Sequence, residues 1–145
     1  MNVNIFYASW YGNGKKVVEE LARILTEKKQ NVAVFSIMEK PEGRIPDADF
    51  YIFSSPTRKF SLPRNVKEFI SSFTPPGNRT RYALVTTYMD PRTIGLRKME
   101  TVLDSKGMLK AASDLKIKSL GLKGPLEQEY GRKLAAFADE IANCE

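Results

Sequence analysis

Histidine is absent from the chain, and cysteine occurs once, as Cys144. Without an imidazole the protein lacks the usual proton shuttle of neutral pH and the commonest metal ligand. Ser-His-Asp hydrolases, Cys-His proteases and histidine-based zinc enzymes are therefore excluded. A lone thiol forms no intramolecular disulfide and no multi-cysteine metal site. Chemistry must come from a borrowed cofactor or from carboxylates, lysines and hydroxyls. Long apolar runs are also missing: none approaches the roughly 20 residues that a bilayer-spanning helix needs. Met1 to Ala8 has no basic leader and too short an apolar run for a signal peptide, so it reads as a first strand and the expected location is cytoplasmic. No internal repeat or low-complexity segment interrupts the pattern.

What is present has the size of one domain, residues 1–145, long enough to bury a substantial core. A hydrophobic content of 42% with 28% charged residues is ordinary for a soluble globular protein. The formal charge of +6 and pI near 9.4 point to nucleic acid, an anionic membrane or an acidic protein as partner. The cations are scattered rather than gathered in one helix or tail, and the motifs of nucleic-acid modules are missing. The expectation is no nucleic acid, no membrane and a monomer.

Hydrophobic periodicity divides the chain into alternating strands and helices. Val3 to Ala8 reads as a strand; Val17, Val18, Leu21, Ala22 and Leu25 mark one face of a helix that begins at Lys15 and ends near Lys29. Asn31 to Ser36 is a half-exposed second strand. After a loop with Pro41, Gly43 and Pro46, Phe50 to Phe53 is an apolar run typical of a strand covered on both faces. Leu62, Val66, Phe69, Ile70 and Phe73 give the next helix, with Pro63 in its first turn. Tyr82 to Val85 is another buried run, ending in Thr86-Thr87-Tyr88. A helix carrying Leu96, Met99, Val102 and Leu103 stops at Gly107. Leu115 to Leu120 alternates with lysines, a common protection of a sheet edge, and Leu134, Phe137, Ala138 and Ile141 stripe a last helix.

This alternation predicts an α/β fold: a five-stranded parallel sheet with helices on both faces, a three-layer sandwich. Strands one, three and four read as doubly buried, strands two and five as edges, which fits the order 2-1-3-4-5. The order 3-2-1-4-5 would put Phe50 to Phe53 at an edge, where its two apolar faces fit less well. In the favoured order the carboxyl ends of strands one, three and four meet at the switch point, the expected ligand crevice. Ser9 to Gly14, Ser54 to Phe60 and Thr86 to Asp90 lie there.

The first of these stretches, Ser9-Trp10-Tyr11-Gly12-Asn13-Gly14, joins strand to helix, where unpaired N–H groups and a positive dipole end suit a phosphate. Gly12 and Gly14 permit φ > 0 and keep side chains out of the way. Ser9, Tyr11 and Asn13 offer donors, and Lys15 and Lys16 add charge. A strand-to-helix turn that needs glycine for geometry alone has the same sequence, so this loop by itself leaves both readings open.

Two stretches together carry a family resemblance. Ile5 to Ser9 followed by Gly12-Asn13 resembles the phosphate loop of flavodoxins, and Ser55-Pro56-Thr57-Arg58 leading to Lys67-Glu68-Phe69 resembles their second flavin loop and the helix after it. The similarity covers essentially the whole chain in length and element order. Tyr11 and Gly14 stand where flavodoxin loops usually carry threonines. Tyr11-Gly12 and Pro56-Thr57-Arg58 are also similar to the flavodoxin-like NAD(P)H:quinone oxidoreductases, which are usually longer.

The resemblance implies a flavodoxin-like fold and FMN as cofactor, its ring between aromatic side chains of the second and third loops. Phe60 and Tyr88 are the candidates, with Trp10 in reserve. The implied contact set is Ser9, Trp10, Tyr11, Gly12, Asn13, Gly14, Ser55, Pro56, Thr57, Arg58, Lys59, Phe60, Thr87, Tyr88 and Asp90, with no catalytic acid or base and no metal ligand. Arg58, Lys59, Arg64, Arg92, Arg97 and Lys98 give the ring edge a positive rim, which implies an acidic redox partner of the ferredoxin or rubredoxin type. The leading expectation is an FMN-binding electron carrier. The alternatives are a small FMN-dependent NAD(P)H:quinone-type reductase and a flavodoxin-like scaffold that has lost FMN and serves as an interaction module. Asp47, Asp49 and Asp90 do not make a phosphoacceptor cluster, because Ser9-Trp10 stand where its acidic pair would follow the first strand.

Overall fold

The structure, a computed structural model, describes residues 1–39, 43–57, 62–90 and 94–145. Its strands are β1 (Asn2–Tyr7), β2 (Asn31–Ser36), β3 (Phe50–Pro56), β4 (Arg81–Tyr88), β5 (Leu109–Lys110) and β6 (Leu115–Lys118); its helices are α1 (Asn13–Glu27), α2 (Arg64–Ser72), α3 (Ile94–Ser105) and α4 (Tyr130–Ala142). All strand pairings are parallel, in the order β2-β1-β3-β4-β5, with β6 also on β4. The expected order holds. The fifth position, however, is shared by two segments: β5 pairs with Arg81 and Tyr82, and β6 pairs with Val85 to Tyr88. Between them the chain leaves the ladder, and Lys110 reaches forward to Asp114 at 2.7 Å.

Strand alternation sends successive side chains to opposite faces. Val3, Ile5, Phe50, Ile52, Ala83 and Val85 pack under α1 and α4 with Val17, Leu21, Leu134 and Ile141. Phe6, Tyr51, Phe53, Tyr82 and Leu84 pack under α2 and α3 with Val66, Ile70, Leu96 and Met99. Two buried polar groups on the second face are satisfied: Asn4 Nδ2 donates to Pro46 O at 2.8 Å, and Tyr82 Oη donates to Asp104 Oδ1 at 2.8 Å. Burial and the Asp104 carboxylate hold the Tyr82 phenol well above its ordinary range, so it stays a donor.

Several boundaries differ from expectation. Helix α1 begins at Asn13, two residues early, because Gly12 turns the chain with φ 91° and its carbonyl takes the first helical bond, from Lys16 N–H at 3.0 Å. Pro63 lies just before α2, extended at φ −60° and ψ 149°, and accepts from Val66 and Lys67 N–H. The alternating strand ends at Lys118 rather than Leu120, because Ser119 begins a turn and Leu120 is 61% exposed.

Candidate functional site

At the carboxyl end of the sheet, β1 runs out of its ladder at Ala8, whose N–H donates to Ser54 O at 3.0 Å. The next four residues fold back before α1. Ser9 Oγ accepts the Gly12 N–H at 3.2 Å, a bond that leaves the Ser9 hydroxyl proton available to donate outward. The N–H groups of Asn13, Gly14 and Lys15 precede the first intrahelical bond and so have no partner within the helix. Gly12, at φ 91°, has nothing within 4 Å of the place a Cβ would take; its requirement for glycine is conformational. Gly14 is buried, and a Cβ there would stand 3.2 Å from Ala8 O. Its requirement is close packing of the helix start on the end of β1.

These residues surround a notch of about 40 Å³ lined by Ser9, Trp10, Tyr11, Asn13, Gly14, Pro56 and Thr87, with Ala8 at its base. A single water needs roughly 10–15 Å³ of such space. The notch therefore has room for a compact anion of a few oxygens but not for a ring system. Seven of the expected contact residues meet there. Gly12 lies on the other side of the helix start, in a cleft with Lys15, Lys16, Glu19, Glu20 and Tyr130, where Lys16 Nζ sits 5.5 Å from the Tyr130 ring centroid.

The remaining expected contacts have other surroundings. Ser55 is buried in β3, and its carbonyl accepts from Thr86 Oγ1 at 2.7 Å. Thr57 knits the second loop to the third: its N–H donates to Thr87 O at 3.0 Å, and its hydroxyl lies 2.8 Å from that of Thr86. Tyr88 is half-buried at the end of β4, with its carbonyl taking the Ser119 N–H at 2.7 Å, and Asp90 is half-buried beyond it. Arg58, Lys59, Phe60 and Arg92 lie outside the described residues. Of the expected cationic rim, Arg64 pairs with Glu68 at 3.0 Å, while Arg97 and Lys98 lie on α3.

The structure adds a segment that the sequence reading left out of the site, the turn from Ser119 to Leu126. Asn13 Nδ2 donates to Ser119 Oγ at 3.0 Å and to Leu122 O at 2.9 Å. Both amide protons are thus committed to this turn, so Asn13 faces the notch with its backbone N–H and not with its carboxamide. The turn is closed by Leu120 N–H to Pro125 O, and by Glu127 Oε2 on the Lys118 N–H at 2.8 Å. Burial alone would raise the Glu127 carboxyl. Its bonds to Lys133 and to the Lys118 N–H outweigh that and hold it below the usual carboxylate range. The sequence did hold a signal: Leu120 and Leu122 flank Gly121 after a strand, outside any periodic stripe. Both are exposed, at 61% and 59%, and with Trp10, Tyr11 and Met89 they make an apolar rim along the carboxyl edge of the sheet.

Among the described residues, no cluster of histidine, cysteine or carboxylate side chains is arranged to hold a metal ion, and no helix is long and apolar enough to cross a membrane. A family model described as "Flavodoxin domain" matches residues 4–124. Solved structures match over nearly the full chain. Oxidised flavodoxin 1 from Bacillus cereus is 21% identical with a TM-score of 0.80, over 99% of this chain and 98% of its own. The flavodoxin of Streptococcus pneumonia TIGR4 is 21% identical with a TM-score of 0.81, over 100% of both chains. The rubredoxin oxygen:oxidoreductase of Desulfovibrio gigas is 19% identical with a TM-score of 0.79, over 99% of this chain and 35% of its own. No curated protein sequence matches the chain.

Proposed function

This chain belongs to the flavodoxin family, and from that premise we propose that it binds FMN and carries electrons between redox proteins. The observation that carries the reading is the notch at the head of α1. There, Asn13 and Gly14, whose N–H groups have no helical partner, line a space sized for a phosphate together with Ser9 and Thr87. The residues present fit that end of the cofactor. Gly14 allows the close approach of the helix, and the positive end of the α1 dipole faces the same end of the sheet. Of the expected stacking candidates, Trp10 and Tyr88 are among the described residues, and the Thr57–Thr86 contact ties the second loop to the third. Bound flavin supplies the redox chemistry. The protein binds, orients and shields it, a division of labour that suits a chain without histidine.

The partner in this reading is an acidic redox protein of the ferredoxin or rubredoxin type, attracted by Arg64, Arg97 and Lys98 beside the second and third loops. Cations near the ring favour the anionic reduced flavin, so its lower one-electron potential lies above that of an acid-rimmed flavodoxin. A spectroelectrochemical titration at low salt measures this, and a very negative value counts against the cationic rim.

Purified protein is expected to be yellow, or to become so on adding FMN, with saturable heat in calorimetry. Absence of heat at millimolar FMN defeats the proposal. Reduction through a reductase protein rather than directly by NADPH supports the carrier over the quinone-reductase alternative.

A further inference from the structure

An apolar hollow among the described residues lies away from the notch. It is a groove of about 580 Å³ between α2 and α3, with Leu62, Ile70, Ile94, Met99 and Val102 along it. Two contacts bracket it. At one end Gly95 admits Leu62, whose Cδ2 would lie 3.1 Å from a Cβ at that position; at the other, Lys106 Nζ donates to Ser71 O at 2.8 Å. Between these pins Val102, which the sequence pattern assigns to the core, is only partly covered.

We propose that this groove is a docking site for an acidic amphipathic helix of a partner protein. Both helices follow strands of a parallel sheet and run side by side. Lys67 and Arg97 are the fourth residues of α2 and α3, and Ser71 and Thr101 are the eighth. Cations thus flank the apolar strip from both walls, at the end nearest the carboxyl edge of the sheet, and among the described lining residues there is no carboxylate. On α3 the lining positions 94, 97, 98, 101 and 102 follow one helical stripe, spanning about 12 Å at ~1.5 Å per residue. An occupant of two to three helical turns, with aliphatic anchors at i, i+3 or i+4 and i+7 and carboxylates at one end, matches that length and charge. A second copy of this +6 chain would bring like charge to the groove. A small amphiphile is better held in a site that buries most of its surface, whereas Ile94 at the mouth is 53% exposed.

The docking site extends the carrier reading by placing the partner beside the cofactor loops. It is tested without electron transfer, so either can fail alone. The probe is a synthetic 14-residue helical peptide with three leucines at that spacing and glutamates beside them, titrated into ¹⁵N-labelled FMN-loaded protein, and into the FMN-free chain as well. Saturable shifts confined to residues 67–71 and 94–102 are expected in both forms. Lys67→Glu with Arg97→Glu, both at exposed positions, should weaken binding about tenfold. If FMN fails to bind, the FMN-free titration still reads the groove. Equal binding of the lysine-for-glutamate peptide, shifts elsewhere, or no saturable shift overturns the proposal. So does stronger occupation of the groove by dodecanoate, or burial of it in a dimer seen by sedimentation.

Discussion

The two faces of the sheet are built from different side chains and closed in different ways. Under α1 and α4 the core is largely aliphatic, and the helices are joined along their length, by Lys28 to Asp139 at 2.5 Å and by Lys16 over Tyr130. Under α2 and α3, Phe6 lies at the centre of a group of rings, within 6.1 Å of Phe35, Tyr51, Phe53, Phe69 and Phe73. Between the helices above it runs a groove. The closed face holds the helix start against β1 tightly enough to shape a notch, while the open face spends its rings on filling the space near the sheet and leaves its outer surface uncovered. Positioning a small anion and receiving a large partner make opposite demands on packing, and the two proposed sites answer them on different sides of one sheet.

Substitutions that strike one face at a time sharpen the contrast. The largest effect is expected from Phe6→Ala, which removes the ring shared by five aromatic contacts and should cost about 3–5 kcal/mol in urea unfolding. On the closed face Gly14→Thr supplies the hydroxyl that flavodoxin loops usually carry, yet its Cβ meets Ala8 O. We expect a loss of about 1–3 kcal/mol and weaker FMN binding by calorimetry. Tighter binding would show that the helix start is less closely seated than described. Asn13→Ala deletes two hydrogen bonds to the 119–122 turn and should cost about 1–2 kcal/mol, with amide exchange accelerated at Ser119 to Gly124 and little change under α2 and α3.

The smallest effect is pH-dependent. Glu127 titrates below the carboxylate range in the folded chain, so its contribution is present above its unfolded value and lost as pH falls through the folded one. Glu127→Gln should therefore lower stability by about 1 kcal/mol near neutrality, and the deficit should vanish in acid, as followed by thermal unfolding at stepped pH.

Much of this architecture is legible in sequence because the signals are local. Phe50 to Phe53 and Tyr82 to Val85 are apolar on both faces, which assigns them to the middle of a parallel sheet, and Gly12 marks the turn where φ must be positive. What escaped reading depends on distant partners. The stripe of α3 includes Val102, which faces the groove beside α2 and is left half-exposed. Asn13 reads as a ligand donor until Ser119 and Leu122 are seen to take its protons. The division of the last strand follows from the place at which Lys110 meets Asp114, which no periodicity encodes.

The carboxamide of Asn13 spans 106 positions of sequence to latch the leading helix onto a distant bend. Whatever quiets that helix start must quiet the bend as well, and Lys123, exposed within it, is a trypsin target. The rate of nicking there then becomes a gauge of occupancy read far from the bound molecule, with no chromophore required.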